Sequence, residues 1–447
     1  MSSPFKIAIV GSGPVGALLA RLLVKDGKAD REVAVFEADA SANARTQGGS
    51  LDLSKEYGLY AIEKADLSDQ FYKYARVGGD SGLFAASLNE YFHLSETPDT
   101  TPPEIDRVRL RKISVESLPE GVVRYGKKLK SISNDNILHF EDETEAGPFD
   151  FIVGADGGWS RVRKHLDPKA ARPEYSHWKG VKYSIYQPKK IVPKIVELVN
   201  NGALFVQEYK CSIAFHAMEK DELKVTAILH YDSDDSHVTS TQAIKNDVFN
   251  RLKNMAPPLR KAIELMPDDF EGDTHPISIH YLPRKYSWPS NPRITLAGDS
   301  AHLMGPFAGR GVNIGMRDAA DLSDAIEEII ALRQDKSAVK STQAAERQAA
   351  LVKAYEKELV DRARGSWDIT YANMSNLSSV KSGIKGILPH MLTTYTVEAI
   401  VGDKERACLR AVLGVVVYPL ALLMFPIYRH LYLRFAHPNS FKPVTTE

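Results

Sequence analysis

Cysteine is scarce in this 447-residue chain, which contains only Cys211 and Cys408. The two lie far apart, and no companion Cys or His residues flank them at metal-binding spacing, so neither a disulfide framework nor a metal site is indicated. Scarce cysteine suits a reducing, cytoplasmic compartment. Charge excess is also absent, because 57 Lys and Arg balance 57 Asp and Glu. The neutral balance therefore gives no electrostatic reason to expect a nucleic-acid partner.

Long apolar segments are rare as well, and the exception lies near the carboxyl end. The run Ala411–Tyr428 contains no charged residue. Its length is at the short end of the roughly 17–25 residues that cross a bilayer, and Pro419 and Pro426 interrupt it. Two interpretations stay open for residues 405–437, a packed helical pair or a membrane-associated segment. No secretory signal is predicted at the other end, since Phe5–Val10 resembles a short buried strand.

The overall composition is typical of a folded protein, with 43% hydrophobic and 26% charged residues. Such a chain buries a core, and its length predicts two or three domains. Phe5–Val10 is followed by a glycine cluster, a helical stretch over Ala17–Lys25 and a second apolar strand over Glu32–Glu37. A strand–helix–strand alternation predicts the α/β class, with a Rossmann-like parallel sheet.

The sequence pattern changes between residues 175 and 290, where short runs rich in β-branched and aromatic residues predict an antiparallel sheet. We therefore predict an antiparallel-sheet substrate domain inserted in a discontinuous nucleotide-binding domain, with C-terminal helices. The predicted ranges are 1–75, 105–170 and 290–335 for the nucleotide-binding domain, 76–104 and 171–289 for the substrate domain, and 336–404 for a helical segment.

The glycine cluster has the spacing of a dinucleotide-binding turn. Gly11 permits a tight turn, Gly13 allows a pyrophosphate to approach the backbone, and Gly16 allows close packing of helix and strand. Glu37 ends the second strand, where an acidic side chain accepts hydrogen bonds from an adenosine ribose. This turn alone does not distinguish FAD from NAD(P).

Two further segments place an acidic residue directly after a buried strand. Asp156 lies in Gly154–Gly157, and Asp299 lies in a segment that continues through Gly311 and Val312 into a long helix. Ligands bind at the carboxyl ends of strands in open α/β sheets, so both segments are candidate parts of the site.

Together with the first turn, these segments resemble the class A flavin monooxygenases over about residues 5–330. The strings Gly48–Leu53 and Gly298–Asn313 are most similar to the tetracycline-inactivating subgroup of that family. The resemblance implies an FAD-dependent monooxygenase that is reduced by NADPH. It would insert one oxygen atom into a bulky organic, secondary-metabolite substrate through a flavin C4a-hydroperoxide. Another FAD oxidoreductase of the same fold is the alternative.

The resemblance also implies roles for individual residues. Asp299 would bind the FAD ribityl chain, and Arg111 would lie over the pyrophosphate and ribityl region. Asp52 would lie near the flavin, and Arg45 would meet the nicotinamide cofactor. The amides of Gly311 and Val312 would face the flavin, and Asp156 would serve the cofactors jointly.

Simpler interpretations exist for several of these residues. Asp156 is also suited to capping the next helix, and Arg111 to lying on a helix surface. Arg45 and Asp52 are also suited to a loop ion pair, and His302 is expected to pack and to bond to backbone. No catalytic residue is predicted, because the cofactor supplies the chemistry.

The substrate-facing side chains are predicted only from an approximate register of the middle sheet. That register places Lys182, Leu204 and Thr226 toward the substrate.

Overall fold

The computed structural model describes residues 3–44, 48–94, 102–169, 172–232, 238–284, 286–334, 341–401 and 417–422. The chain forms two compact units. The first unit comprises residues 1–75, 107–174 and 280–367, and the second comprises residues 76–106, 175–279 and 368–447. The assignment of one domain to the cofactor and the other to the substrate stays a prediction.

The strands are numbered β1 to β17 in chain order. They are Phe5–Val10, Arg31–Phe36, Ser50–Asp52, Ser81–Phe84, Glu90–Leu94, Glu104–Asp106, Val123–Arg124, Leu129–Ile132, Leu138–Phe140, Glu145–Ala146, Phe151–Gly154, Glu174–Tyr186, Ala203–Glu208, Cys211–Met218, Glu222–His230, His275–Tyr281 and Ile294–Leu296.

The α-helices are numbered α1 to α13 in the same way. They are Pro14–Val24, Tyr60–Lys64, Ser68–Tyr72, Arg107–Glu116, Arg161–Leu166, Pro188–Ile191, Pro193–Val199, Thr241–Arg251, Pro257–Glu264, Asp299–His302, Gly311–Gln334, Ser341–Ser379 and Ile384–Val401. A π-helical turn at Lys55–Leu59 and a 3-10 turn at Pro306–Ala308 complete the helical elements.

The first unit is built on a five-stranded sheet in the order β17-β11-β1-β2-β7. Its paired strands are parallel throughout, as predicted. The central strand β1 is nearly continuous in apolar residues because both of its faces are covered, and Ile7 and Ile9 are fully buried. Pro14 opens α1, where its fixed φ suits the first helical turn and its missing N–H is not needed.

Sequence reasoning missed the second sheet of this unit. Strands β8, β9 and β10 form an antiparallel three-stranded sheet. Each of these strands has between two and four residues, which is too short to produce a recognisable alternation. The short helices α6 and α7 of the second unit were missed for the same reason.

The second unit is built on a seven-stranded sheet in the order β16-β12-β15-β14-β13-β4-β5. The predicted antiparallel pairing holds for β12 to β15, and β4 pairs antiparallel with β5. Strand β13, however, pairs parallel with β4, so the sheet is mixed. Strand β4 ends at Phe84 and β13 begins at Ala203, so a connection of about 120 residues, not a hairpin, joins this parallel pair.

One face of this sheet forms the core of the second unit. A row of paired residues crosses four strands from Leu204 through Phe215 and Val225 to Tyr183, and all four are fully buried. Helices α7, α8 and α9 supply the other side of the core. The Tyr183 hydroxyl donates to the Ala262 carbonyl at 2.9 Å, and burial raises the pKa of this phenol.

The adjacent row belongs to the opposite face and corrects one prediction. Here Phe205 pairs with Ala214, Ala214 with Thr226, and Thr226 with Lys182. Lys182 and Thr226 therefore share a face as predicted, but Leu204 lies in the core and Phe205 takes its place. The predicted register was wrong by one residue on β13, and such a shift moves a side chain to the other face of a strand.

The two phenylalanines provide a test of this face assignment. Phe215→Ala should lower the free energy of unfolding by about 3–5 kcal/mol, because it leaves a cavity in the core. Phe205→Ala should lower it by about 1 kcal/mol or less, since Phe205 is only half-buried. Chemical denaturation of both variants beside the parent protein measures the difference. Equal losses would contradict the assignment.

The carboxyl-terminal segments are described in part. Helix α12 is long but polar, and α13 contains Pro389. Across the described ranges, no helix has both the length and the apolar character needed to cross a membrane. Of the apolar run Ala411–Tyr428, the structure describes only residues 417–422, which are helical, and Tyr418 stacks on His390 with ring centroids 4.5 Å apart. The rest of that run, and Cys408, lie outside the described residues.

Candidate cofactor site

The glycine-rich turn between β1 and α1 is confirmed as a tight backbone turn. Gly11 has φ of +100°, and a Cβ there would lie 2.4 Å from the Ala155 carbonyl oxygen. A Cβ on Gly16 would lie 2.0 Å from the Gly11 carbonyl oxygen. Gly13 differs, because a Cβ on it would meet nothing within 4 Å, and no side chain caps the helix that follows. The turn is thus closed by Gly11 and Gly16 and open at Gly13.

Glu37 lies directly after β2 and is bonded to this turn. Its Oε2 accepts hydrogen bonds from the Ser12 amide at 2.8 Å and the Ser12 hydroxyl at 2.7 Å, and its Oε1 accepts from the Asp39 amide at 2.9 Å. Burial opposes ionisation of the carboxyl, but these hydrogen bonds outweigh it and lower the pKa of Glu37. Glu37 is therefore a carboxylate at neutral pH, with acceptor positions near the turn.

Arg111, from α4, is the cation of this cluster. It donates to the Ser12 carbonyl at 2.9 Å, to the Ser12 hydroxyl at 2.9 Å and to the Ala42 carbonyl at 3.2 Å. Its guanidinium also lies 3.6 Å from the carboxylates of Glu37 and Asp39. The side chain is only 14% exposed, so Arg111 is not a free surface arginine. Ser12, which links it to Glu37, was not singled out from the sequence.

The turn after β17 lies beside the first one. Gly298 has φ of +64°, and a Cβ there would lie 3.0 Å from the Val15 side chain. Gly315 of α11 packs against the same valine, with its hypothetical Cβ 2.8 Å away. The close packing that these two glycines permit brings together the amino-terminal ends of α1 and α11. The structure thus joins segments that are almost 300 residues apart in the chain.

Asp299 lies at the start of α10, directly after Gly298. Its Oδ1 would be 4.0 Å from a Cβ on Gly311, the first residue of α11, and Val312 follows in the same turn. Among the described residues, no hydrogen-bond donor pairs with the Asp299 carboxylate. The carboxylate and the amino-terminal end of α11 therefore face the same space.

Asn313 connects α11 to the segment that holds Asp52, and sequence reasoning gave it no role. Its Nδ2 donates to the Asp52 carbonyl at 2.8 Å, and its Oδ1 accepts from the Ser54 amide at 2.8 Å. Asn313 is 3% exposed, whereas the Asp52 side chain is exposed. The predicted partner of Asp52, Arg45, lies outside the described residues.

Asp156 caps a helix, as its simpler interpretation predicted. Its Oδ2 accepts from the Arg161 amide at 2.7 Å at the start of α5. Its Oδ1 is buried and has no hydrogen-bond partner in the described part of the chain. Burial raises the pKa of this carboxyl in spite of the helix amides. One oxygen of Asp156 therefore caps α5, and the other has no hydrogen-bond partner among the described residues.

His302 packs in the interior as expected, but its hydrogen-bonding partner is a side chain rather than backbone. Its Nε2 lies 2.6 Å from Asp318 Oδ2, and both residues are fully buried. Asp318 was not identified from the sequence. The sequence did contain a signal for Asp318, because this acidic residue lies among the apolar residues that α11 buries.

A parallel sheet, a glycine-rich turn at a helix start and an acid after the second strand define a dinucleotide-binding α/β protein. The comparisons narrow this class. The sequence matches the FAD binding domain family over residues 139–357. It is 30% identical over 433 residues to Monooxygenase asqM of Emericella nidulans, covering 83% of this chain and 95% of that protein.

Solved structures share the fold. HpxO of Klebsiella pneumoniae, complexed with FAD and uric acid, superposes with a TM-score of 0.67 at 16% identity, covering 94% of this chain and 97% of that one. The tetracycline destructase Tet(55) superposes with a TM-score of 0.58 at 17% identity, covering 81% and 89% of the two chains. The chain belongs to the FAD-dependent, class A flavin monooxygenases and is an enzyme of that family.

The residues of this chain fit FAD. The turn is open where a pyrophosphate approaches at Gly13, and α1 presents amides that no side chain caps. Helix amino-terminal ends bind phosphate through these amides and the helix dipole. Asp299 and Asp156 each keep acceptor oxygens without a protein donor in the described residues, as expected where a ligand supplies the hydroxyls.

Gly13 and Gly16 provide a matched pair of variants for this site. Gly16→Ala should lower the stability of the FAD-free protein, because its Cβ would overlap the Gly11 carbonyl. Gly13→Ala should leave that stability within about 0.5 kcal/mol of the parent but weaken FAD binding at least about tenfold, since the methyl occupies the ligand's space. Thermal unfolding of the FAD-free proteins and FAD titration separate the two effects. Unchanged FAD affinity in Gly13→Ala would contradict the assignment of the turn.

Proposed function

We propose that this enzyme uses FAD and a reduced nicotinamide dinucleotide, NADPH in preference to NADH, to insert one oxygen atom into a bulky organic, secondary-metabolite substrate. The reaction would be a hydroxylation, an epoxidation or a Baeyer–Villiger oxygenation. The observation that carries the proposal is the Asp299 carboxylate, which has no described hydrogen-bond donor and lies beside the start of α11.

The residues of the first unit would divide the binding of FAD among them. Glu37 would accept hydrogen bonds from the adenosine ribose. Uncapped amides at the start of α1 would bind the pyrophosphate, with Arg111 holding the turn in place. Asp299 would bind the ribityl hydroxyls, and Asp156 would use its free oxygen for a cofactor hydroxyl or amide.

The start of α11 would serve the flavin ring. Amides of Gly311 and Val312, with the dipole of a 24-residue helix behind them, favour negative charge in front of them. Asn313 would fix the backbone of Asp52 beside that position. FAD, when bound, supplies the redox chemistry, and these residues orient it and stabilise charge on it.

The face of the second unit's sheet that lies opposite its core is our candidate substrate surface. It carries Lys182 and Thr226, and also Phe205, which lies edge-on to His216 with ring centroids 5.6 Å apart. Burial, with the charges of Lys182 and Arg76, lowers the pKa of His216 to about 4. The imidazole is thus neutral at pH 7 and both donates and accepts hydrogen bonds. An aromatic and mixed polar surface suits a large, oxygen-bearing organic molecule.

Oxygen consumption tests the reaction type. The purified protein should be yellow and should oxidise NADPH faster than NADH. With substrate present it should take up O₂ and release a product heavier by one oxygen atom, the second oxygen atom leaving as water. A panel of aromatic, polyketide and terpenoid-alkaloid compounds, followed by mass spectrometry, would identify the substrate. Substrate oxidation without oxygen incorporation would instead favour another FAD oxidoreductase.

Asp299→Ala tests the residue that carries the proposal. Loss of a carboxylate that bonds the cofactor should weaken FAD binding by about 1–3 kcal/mol, which is roughly fivefold to 150-fold. Asp324→Ala is the matched control, because this α11 carboxylate is 63% exposed and pairs with Lys64. FAD titration of both proteins measures the effect. An Asp299→Ala protein that retains the parent's FAD affinity would contradict the role of Asp299.

A further inference from the structure

A buried ionic network lies under the Gly298–Asp299 turn. Asp318 Oδ2 accepts the Gly298 amide at 3.0 Å and is the same atom that meets His302. Gly298 has φ of +64° and ψ of −142°, a backbone conformation that non-glycine residues avoid. The amide of this unusual turn is therefore held by a single carboxylate, directly before the residue proposed to bind FAD.

The cation that compensates this carboxylate comes from α12. Arg362 donates to Asp318 Oδ1 at 3.1 Å and to Asp321 Oδ2 at 2.6 Å, and its side chain is 12% exposed. Asp321 is shared with Arg317, whose Nε donates to it at 2.8 Å. Arg362 thus connects two carboxylates of α11, and only one of them reaches the turn.

The ionisation of the buried Asp318 carboxyl depends on the charges of His302 and Arg362. Burial opposes its ionisation, but His302 first and Arg362 after it lower the pKa of Asp318. In the same way Asp318 raises the pKa of His302 against the effect of burial. Removing one partner of a buried ion pair leaves a charge that is neither solvated nor paired. Without Arg362, Asp318 would keep His302 as its counter-charge, but its Oδ1 would lose the Arg362 donor, and the carboxylate would no longer be held in its orientation toward Gly298.

Helix α12 also contacts β17 at points that do not involve the turn. The Tyr355 hydroxyl donates to the Leu296 carbonyl at 3.0 Å, and Glu356 accepts from the Thr295 hydroxyl at 2.9 Å. These contacts attach the helix to the strand. The contact through Arg362 is different because it ends, by way of Asp318, on the amide of Gly298.

We propose that Arg362 is a positioning residue for FAD, which acts through Asp318 on the Gly298–Asp299 turn. Helix α12, for which the sequence indicated no functional role, would then contribute to cofactor affinity without contacting the cofactor. Loss of Arg362 would misplace the Asp299 carboxylate by releasing the amide before it. This inference rests on the proposal that Asp299 binds FAD.

The test compares Arg362→Met with Tyr355→Phe, both on α12. Arg362→Met should raise the dissociation constant for FAD at least about tenfold. Tyr355→Phe removes one buried hydrogen bond to β17, so it should lower the thermal midpoint of the FAD-free protein but change FAD affinity less than about twofold. Fluorescence titration with FAD and thermal unfolding without FAD measure the two quantities separately.

Arg362→Lys keeps the proposal testable if Arg362→Met does not fold. A lysine retains the charge but cannot bond two carboxylates as a planar fork, so its FAD affinity should lie between those of the parent and Arg362→Met. The visible absorption bands of its bound flavin should also shift from those of the parent, because the flavin environment changes. Parent-like FAD affinity and spectrum in the folded arginine variants would overturn the inference.

Two failures are distinguishable in this experiment. A parent protein that binds no FAD would refute the cofactor proposal and this inference with it. FAD binding that Asp299→Ala weakens and Arg362→Met leaves unchanged would refute the inference alone. Equal weakening by Tyr355→Phe and Arg362→Met would also refute it, because a general loss of helix packing would then explain both.

Discussion

The close approach of backbone segments at the carboxyl ends of β1, β11 and β17 is the constraint on which the candidate site depends. A Cβ on Gly11 would meet the Ala155 carbonyl, and one on Gly298 would meet Val15. These contacts leave no room for side chains, so glycine is required for packing as much as for conformation. The same close packing brings together the amino-terminal ends of α1 and α11, and no side chain caps the amides of α1.

Acidic residues near this space fall into two groups with different tasks. Glu37 and Asp318 are buried, and each accepts a hydrogen bond from a backbone amide of the turn that it fixes. Asp299 and one oxygen of Asp156 lack such donors in the described residues. Buried acceptors are normally satisfied, which makes the unpaired Asp156 oxygen unusual, whereas the half-buried Asp299 carboxylate is partly accessible. The site therefore combines carboxylates that fix turns with carboxylates that keep acceptor positions.

The two faces of the second unit's sheet carry different kinds of side chain. The face that carries Phe215 and Tyr183 packs against helices and supplies stability. The face that carries Phe205, Thr226 and Lys182 keeps aromatic and polar groups together. Because neighbouring residues on a strand point to opposite faces, the half-buried side chains of this second face lie outside the core. This separation suits a family whose members act on different substrates.

The local features of the fold could be predicted from the sequence alone. Each of these features depends on residues that are adjacent in the chain, because tight turns require glycine and helix starts require particular neighbours. They are the strand–turn–helix at Phe5–Val24, the acid at Glu37 and the strings around Asp156 and Asp299. Long helices such as α11 were predictable because their pattern also lies within one continuous stretch of the chain. Fold class and family followed from these local strings, since each of them is long enough to be specific.

Contacts between side chains that are distant in sequence could be seen only in the folded structure. Ser12 and Arg111 are 99 residues apart in the sequence, and Asp318 and Arg362 are 44 apart. No local sequence pattern therefore predicts either contact. The face of Leu204 depended on a register that strand pairing sets, and the cap formed by Asp156 depended on where α5 begins. Pairing of buried charges is a property of three-dimensional proximity in a low-dielectric interior, where each charge needs its partner. That is why the cofactor turn was visible in the sequence and the network that holds it was not.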